Sequence, residues 1–357
     1  MNNENTRTRT SRLKKFKQWA KKHWIVLIII AGALIITTIF ITALMSSRSS
    51  PSLTVFNPKP KQKYYSPLTG IQVDDEKATK QPVTAVIVEN SPEARPQSGL
   101  KQAGVVYEAV AEGGITRFLA IYQQEKPELI GPVRSLRMYY LDWAAPYQAS
   151  IAHVGGSPNA LNEVRNGPYR DIDQYSNPDA YWRSNDRYPP HNMYTNFERL
   201  DALNSSKGYQ ESEFTSFKRT DGKPAEEPNA TAITVNFSSA MYNTSYTYNS
   251  ESNSYDRSLA GEPHTDREHG QISPNTVVIL KVDTESRGGP DAYEDIVTSG
   301  TGQAYVFQNG TAREVTWKKA DRTAPLELVD AEGNAVSLNR GQTWIGAITA
   351  RGGVAWQ

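Results

Sequence analysis

The sequence predicts an α/β or α+β N-terminal domain with a mixed sheet, a smaller and mostly β C-terminal domain, and one transmembrane helix ahead of both. Three observations carry this. Residues 24–45 read WIVLIIIAGALIITTIFITALM, 22 residues without a charge. Up to about residue 220, strand-like runs alternate with helix starts. From 229 to 357 every patterned run is strand or turn.

The apolar run comes first. At 1.5 Å per residue it spans roughly 33 Å, enough to cross a bilayer. Residues 1–23 hold eight Lys or Arg and one acid, Glu4. They read as a basic cytoplasmic tail, disordered until it meets anionic headgroups. A cleaved signal peptide is the rival, but its apolar region is about 7–15 residues and ends at a small-x-small site. Ala43-Leu44-Met45-Ser46 is a poor one. The expectation is an uncleaved single-pass anchor in the cell membrane, N-terminus cytoplasmic, with the bulk of the chain extracytoplasmic. Residues 46–63, SSRSSPSLTVFNPKPKQK, form a stalk.

Composition narrows the classes that remain. Over 357 residues the formal net charge is +1 and the mean hydropathy is −0.59. Without the tail, 31 basic face 37 acidic residues, about −6. A weakly acidic body has no nucleic-acid footprint. The absence of cysteine removes disulfides, thiolate nucleophiles, Cys-ligated metals and any acceptor for a lipid anchor.

The α/β domain is expected over 64–220. Residues 83–90, VTAVIVEN, read as a central strand because both faces are apolar. Residues 91–100, SPEARPQSGL, hold two prolines and a glycine and must wander beyond its end. Runs 104–111 and 115–123 form a strand pair around Glu112-Gly113-Gly114, and a third short run, 129–133, leads to Arg134-Ser135-Leu136-Arg137. Residues 138–147 read as a helix ended at Pro146, and 150–154 as a strand closing on Gly155-Gly156. A helix then begins near Ser157-Pro158, with Ser157 as its cap. Residues 169–192 form a long aromatic, charged loop, and 193–204 a helix.

The β-rich domain is expected over 229–357. Its strands fall at 231–237, 276–282, 302–308, 313–318, 326–329 and 343–349, with a polar ribbon at 244–255. Asn309-Gly310 is a hairpin turn, since both positions tolerate positive φ.

Chemistry-bearing residues gather beyond the strand ends. His153 follows a strand and His191 follows Pro189-Pro190. Either could serve as a general acid or base, or as a metal ligand with Asp142, Asp171, Asp173 or Asp186. No spacing supports a metal site, and no cofactor is expected. Arg95, Arg117, Arg134, Arg137 and Arg183 lie in or beside apolar segments. Each needs an acid such as Glu89, Glu108 or Glu112, or else holds an anion. Two readings stay open: an anion pocket that includes Asn90, or a charge network fixing loops to the sheet. Ser157 lacks the G-x-S-x-G elbow of a hydrolase nucleophile, and Gly155-Gly156 is a weak phosphate cradle. In the second domain, His264-Thr265-Asp266-Arg267-Glu268-His269 reads as a solvated turn. Tyr246, Tyr248 and Tyr255 are candidates for a binding face.

Several long runs resemble the YerB-like envelope lipoproteins of Gram-positive and related bacteria, a two-part family of unknown function. The runs are residues 90–100 (NSPEARPQSGL), Val106-Tyr107-Glu108, residues 112–118 (EGGITRF), residues 131–137 (GPVRSLR), His153-Val154-Gly155-Gly156-Ser157 and Pro190-His191-Asn192. The resemblance covers roughly residues 65–350. It implies an α/β part followed by a mostly β part, and no established activity. Its typical members carry a lipobox cysteine, where this chain has a spanning segment instead.

The leading functional expectation is a membrane-tethered extracytoplasmic binding or scaffolding protein of the bacterial envelope. Its site for an anionic solute would use Glu89, Asn90, Arg95, Glu112, Arg117, Arg134, Arg137, Ser157 and Arg183. The alternatives are an envelope hydrolase or other enzyme with His153 or His191 as acid/base, and a protein-interaction module in the β-rich domain. The expected partners are the bilayer, through 24–45, and cell-wall fragments or an envelope protein.

Overall fold

The run TAVIVE forms β1 (Thr84–Glu89), and every one of its residues is buried. A strand apolar on both faces is stable only at the centre of a covered sheet. In the computed structural model, which describes residues 4–46, 62–287 and 293–357, β1 is an interior strand of such a sheet, paired on both of its edges. The first half of the body supplies β2 (Val105–Val110), β3 (Thr116–Tyr122), β4 (Ser150–Ala152) and β5 (Arg170–Asp171). β2 and β3 pair antiparallel around Gly113 and Gly114, whose φ values of 58° and 81° suit a tight reversal. β3 pairs antiparallel with β1, setting Glu89 opposite Arg117. β4 runs parallel to β1, and β5 parallel to β4.

The second half supplies β6 (Ala232–Asn236), β7 (Thr244–Asn249), β8 (Ser254–Leu259), β9 (Thr276–Lys281), β10 (Gly300–Gln308), β11 (Thr311–Lys319), β12 (Glu327–Val329), β13 (Thr343–Ile348) and β14 (Gly353–Trp356). β10 and β11 are joined at Asn309-Gly310, with φ values of 61° and 77°. That is the predicted hairpin.

The two halves differ in content as expected, yet they share one sheet. Its order is β12-β11-β10-β9-β13-β2-β3-β1-β4-β5. β13 lies parallel to both β9 and β2, with Ile345 opposite Val278 and Tyr107. All six residues of β13 are buried, so neither of its edges could stand in water. Gln62–Gln357 accordingly forms a single unit.

Both faces of the sheet are covered. Ile87, Tyr107, Leu119 and Ile121 pack with α3 (Met138–Ala144) and α4 (Pro158–Asn166). Val86, Val88, Phe118 and Trp344 pack with α5 (Phe197–Ser206) and a second sheet. That sheet has the order β8-β7-β6-β14, extended beyond β8 by the two-residue strand Glu262–Pro263.

Several expectations change. The run 129–133 makes only isolated bridges, Val88 with Val133, Ser98 with Gly131 and Ile130 with Thr195, because Pro132 has no N–H to continue a ladder. Tyr246 and Tyr255 are buried between the sheets and offer no binding face. In the segment expected as a solvated turn, Arg267, Glu268 and His269 do form an exposed turn, while His264 and Asp266 are buried beneath it. Asp266 does close the turn, its Oδ1 accepting from the N–H groups of Glu268 and His269.

The N-terminal unit is described by itself. α1 (Glu4–Lys22) is helical where a disordered tail was expected. Its sequence contains no Gly or Pro, and Trp19 contacts Phe16 and His23 at helical spacing, with ring centroids 6.1 and 5.3 Å apart. α2 (Trp24–Ser46) has a mean hydropathy of 2.9 and no buried residue, and it is long enough to cross a membrane. Residues 47–61 of the expected stalk lie outside the described residues.

Candidate functional site

β1 ends at Glu89, and the prolines at 92 and 96 forbid its continuation. The chain after it is held by side chains instead. Asn90 is fully buried. Its amide donates to Thr116 Oγ1 at 2.7 Å, and its Oδ1 accepts from Arg95 Nε and Gln97 Nε2 at 3.1 and 2.9 Å. One asparagine therefore spans three segments.

A second loop is clamped against this one. Ser184 and Asn192 close it, the Ser184 N–H donating to the Asn192 carbonyl at 2.8 Å. Within it, Arg187 Nη1 donates to the carbonyls of Glu93 and Arg95 at 2.6 and 3.2 Å, and Nη2 to that of Pro96 at 2.6 Å. Between the loops lies an open cleft of about 440 Å³ lined by Glu93, Arg95, Asp186, Arg187, Tyr188, His191 and Arg267.

The cleft carries an excess of cations. Arg267 is matched, its Nη2 lying 3.1 Å from Asp186. Arg95 and Arg187 form no ion pair among the described residues, since their N–H groups go to Asn90 and to main-chain carbonyls. Arg187 Nε is buried and has no hydrogen-bond partner among the described residues. Burial lowers the pKa of Arg95 from its ordinary value. The guanidinium is thus incompletely compensated and would gain from an added anion.

His191 is held in one orientation. Its Nδ1 lies 2.9 Å from Glu89 Oε1 and 3.1 Å from Ser91 Oγ. The same carboxylate oxygen accepts from Ser91 at 2.8 Å and meets Arg134 Nη2 at 3.0 Å. A nearly buried glutamate thus fixes one ring nitrogen, leaving Nε2 without a hydrogen bond among the described residues. The other carboxylate oxygen, Oε2, is buried and has no hydrogen-bond partner among the described residues. Arg134 is pulled down in pKa by burial, against the attraction of Glu89.

The remaining candidates fall elsewhere. Arg117 and Arg137 both grip Glu112, Arg117 through Nη2 at 2.6 Å. This is the network reading for those three residues, away from the cleft lining. Arg183 is exposed and secures the loop by donating to Asn192 Oδ1 at 2.8 Å. His153 is fully buried, its ring nitrogens 2.7 Å from the Gly155 carbonyl and 3.0 Å from Asp171. Both nitrogens are spent and the ring has no open face, so it cannot act on a solute as an acid or base. Ser157 is buried, and its Oγ neither caps α4 nor meets a base. Among the described residues no group of three His, Asp or Glu side chains could hold a metal ion.

Sequence reasoning missed Arg187, Arg267, Tyr188 and Glu93. The run Arg187-Tyr188-Pro189-Pro190-His191 was visible, but only the fold brings it against 91–96. Glu108 was matched to the wrong arginine group. Its partner is Arg257 on β8, Nη2 to Oε2 at 2.7 Å, both side chains fully buried. Trp344 Nε1 donates to the same oxygen at 3.1 Å and stacks on the guanidinium, 4.4 Å from ring centroid to Cζ. Arg257 Nη1 also donates to His264 Nδ1, and His264 Nε2 meets Gln97 Oε1 at 3.0 Å. This network pins the second sheet to the first, and Gln97 leads it to the cleft loop.

An apolar N-terminal helix, a two-part mixed-sheet body and an arginine-lined cleft on that body define the class. The chain belongs to a family of proteins of unknown function, DUF3048, matching its N-terminal domain over 68–210 and its C-terminal domain over 233–345. "Putative lipoprotein YerB" of Bacillus subtilis (strain 168) is 33% identical over 300 residues, which span 82% of this chain and 88% of that protein. The crystal structure of the YerB protein from Bacillus subtilis superposes with a TM-score of 0.73 at 29% identity, covering 82% of this chain and all of that one.

Proposed function

We propose that this protein is a membrane-tethered, extracytoplasmic binding protein of the bacterial envelope whose cleft takes an anionic solute. The tether is α2, with the N-terminus cytoplasmic. The lysine- and arginine-rich flank supports that orientation, and the lipoprotein name of the relative supports an envelope location. The observation that carries the reading is the pair Arg95 and Arg187, two guanidiniums on one open cleft that form no ion pair among the described residues. The solute site is therefore narrower than the sequence suggested. Arg95 and His191 line it, Glu89, Asn90, Arg134 and Arg183 support it, and Glu112, Arg117 and Arg137 form a separate clamp.

Calorimetric titration of the detergent-solubilised chain with carboxylated and phosphorylated envelope fragments tests this. Arg187→Gln and Arg95→Gln should each weaken binding about tenfold or more. Unchanged affinity in both variants, with folding verified by circular dichroism, removes the reading.

A second reading has one specific support. His191, oriented by Glu89 and open at Nε2, has the arrangement of a general base. Hydrolysis of an anionic ester that is abolished in His191→Gln and retained in His153→Gln would establish it.

A further inference from the structure

We infer that the anionic solute of the cleft is an acidic saccharide, bound with one sugar face against Tyr188. This rests on the anion-binding reading above and specifies its ligand. Tyr188 is 88% exposed, the most exposed large apolar side chain among those described. It nevertheless lines the cleft, and its backbone is fixed. The Tyr188 carbonyl accepts from the His191 N–H at 3.0 Å, and Pro189 and Pro190 follow with restricted φ. Two residues before it and four after it, the loop is anchored through Asp186 to Arg267 and through Asn192 to Ser184. A flat, amphipathic ring with only two side-chain torsions to order, presented on a stiff loop, is a platform for a flat ligand face.

The polar lining distinguishes a sugar from a simple anion. Arg95, Arg187 and His191 offer donors, while Glu93 and Asp186 offer carboxylate acceptors in the same cleft. An inorganic anion has at most one or two hydroxyl donors for the acceptors, and its charge is repelled by them. A saccharide carries hydroxyl donors for those carboxylates, acceptors for the histidine and arginines, and a C–H face for the tyrosine. One carboxylate on the sugar answers the unpaired guanidiniums. The volume of about 440 Å³ falls within the range of roughly 300–1,000 Å³ typical of small-molecule sites and far exceeds what one inorganic anion fills. Acidic peptides share the charge but have no reason to require the ring.

The test uses the full chain in detergent micelles and four probes: digalacturonic acid, a neutral disaccharide, triglutamate and inorganic phosphate. Digalacturonic acid should bind tighter than the other three. Tyr188→Ala should weaken it about tenfold and leave phosphate unchanged, while Tyr188→Trp should retain binding. So exposed a side chain can be removed without loss of fold. Arg187→Gln should weaken every anion. Triglutamate binding as well as or better than digalacturonic acid, or indifference of the latter to Tyr188→Ala, overturns the saccharide inference and leaves the anion cleft standing. If no anion binds and Arg187→Gln changes nothing, both fall.

Discussion

His264 makes the body sensitive to acid, and the size of the effect can be worked out. The ring is fully buried between the sheets. Arg257, which can only donate, occupies Nδ1, so the proton must sit on Nε2, facing Gln97. Burial, then the charges of Arg257 and Arg95, hold the imidazole pKa well below its ordinary 6.5. The sign follows directly. Below pH 6.5 the unfolded chain takes up a proton at this residue and the folded chain does not, so stability falls as pH falls. The slope is about 1.4 kcal/mol per pH unit. At pH 5 the loss is about 2 kcal/mol relative to neutral pH, a large share of a typical stability of roughly 5–15 kcal/mol. Urea unfolding followed by tryptophan fluorescence is the assay, since Trp344 adjoins the network. His264→Gln keeps an acceptor for Arg257 and removes the titration. The stability gap between wild type and variant should therefore shift by about 2 kcal/mol in the variant's favour between pH 7.5 and pH 5. A gap constant with pH would refute the reasoning.

Two further outcomes follow from the buried groups. Arg257→Met should destabilise the body by about 3–5 kcal/mol, because Glu108 keeps its hydrogen bonds from Thr116 and Trp344 but is left charged and buried without a cation. The double change Arg257→Met with Glu108→Leu should recover much of that loss in the same urea assay. Ser157→Ala should be neutral or slightly stabilising, since its buried Oγ makes no hydrogen bond. It should also leave ligand binding unchanged, and a lost activity would revive Ser157 as a nucleophile.

Local pattern carried much of the fold. The central strand 83–90, the pair around Glu112-Gly113-Gly114 and the Asn309-Gly310 hairpin were readable because each is fixed by its own periodicity or turn chemistry. The tail was misjudged because helix propensity there was weighed below charge. The shared sheet was not readable, because the pairing of β13 with β2 joins residues more than 230 apart and leaves no mark in either run beyond apolarity. The site divides in the same way. His191, Arg95 and Glu89 could be proposed from their neighbours. Arg187 and Tyr188 could not, since their role comes from a loop folding back on 91–96.

The sequence by itself determined an apolar helix able to span a membrane, a cysteine-free body, and the strands and turns whose residues dictate their own conformation. Only the tertiary structure decided which charges are partnered. Arginine and glutamate are chemically the same wherever they stand. Whether a guanidinium is a brace or a receptor depends on what the fold brings within about 3 Å of it, and that is settled by long-range pairing.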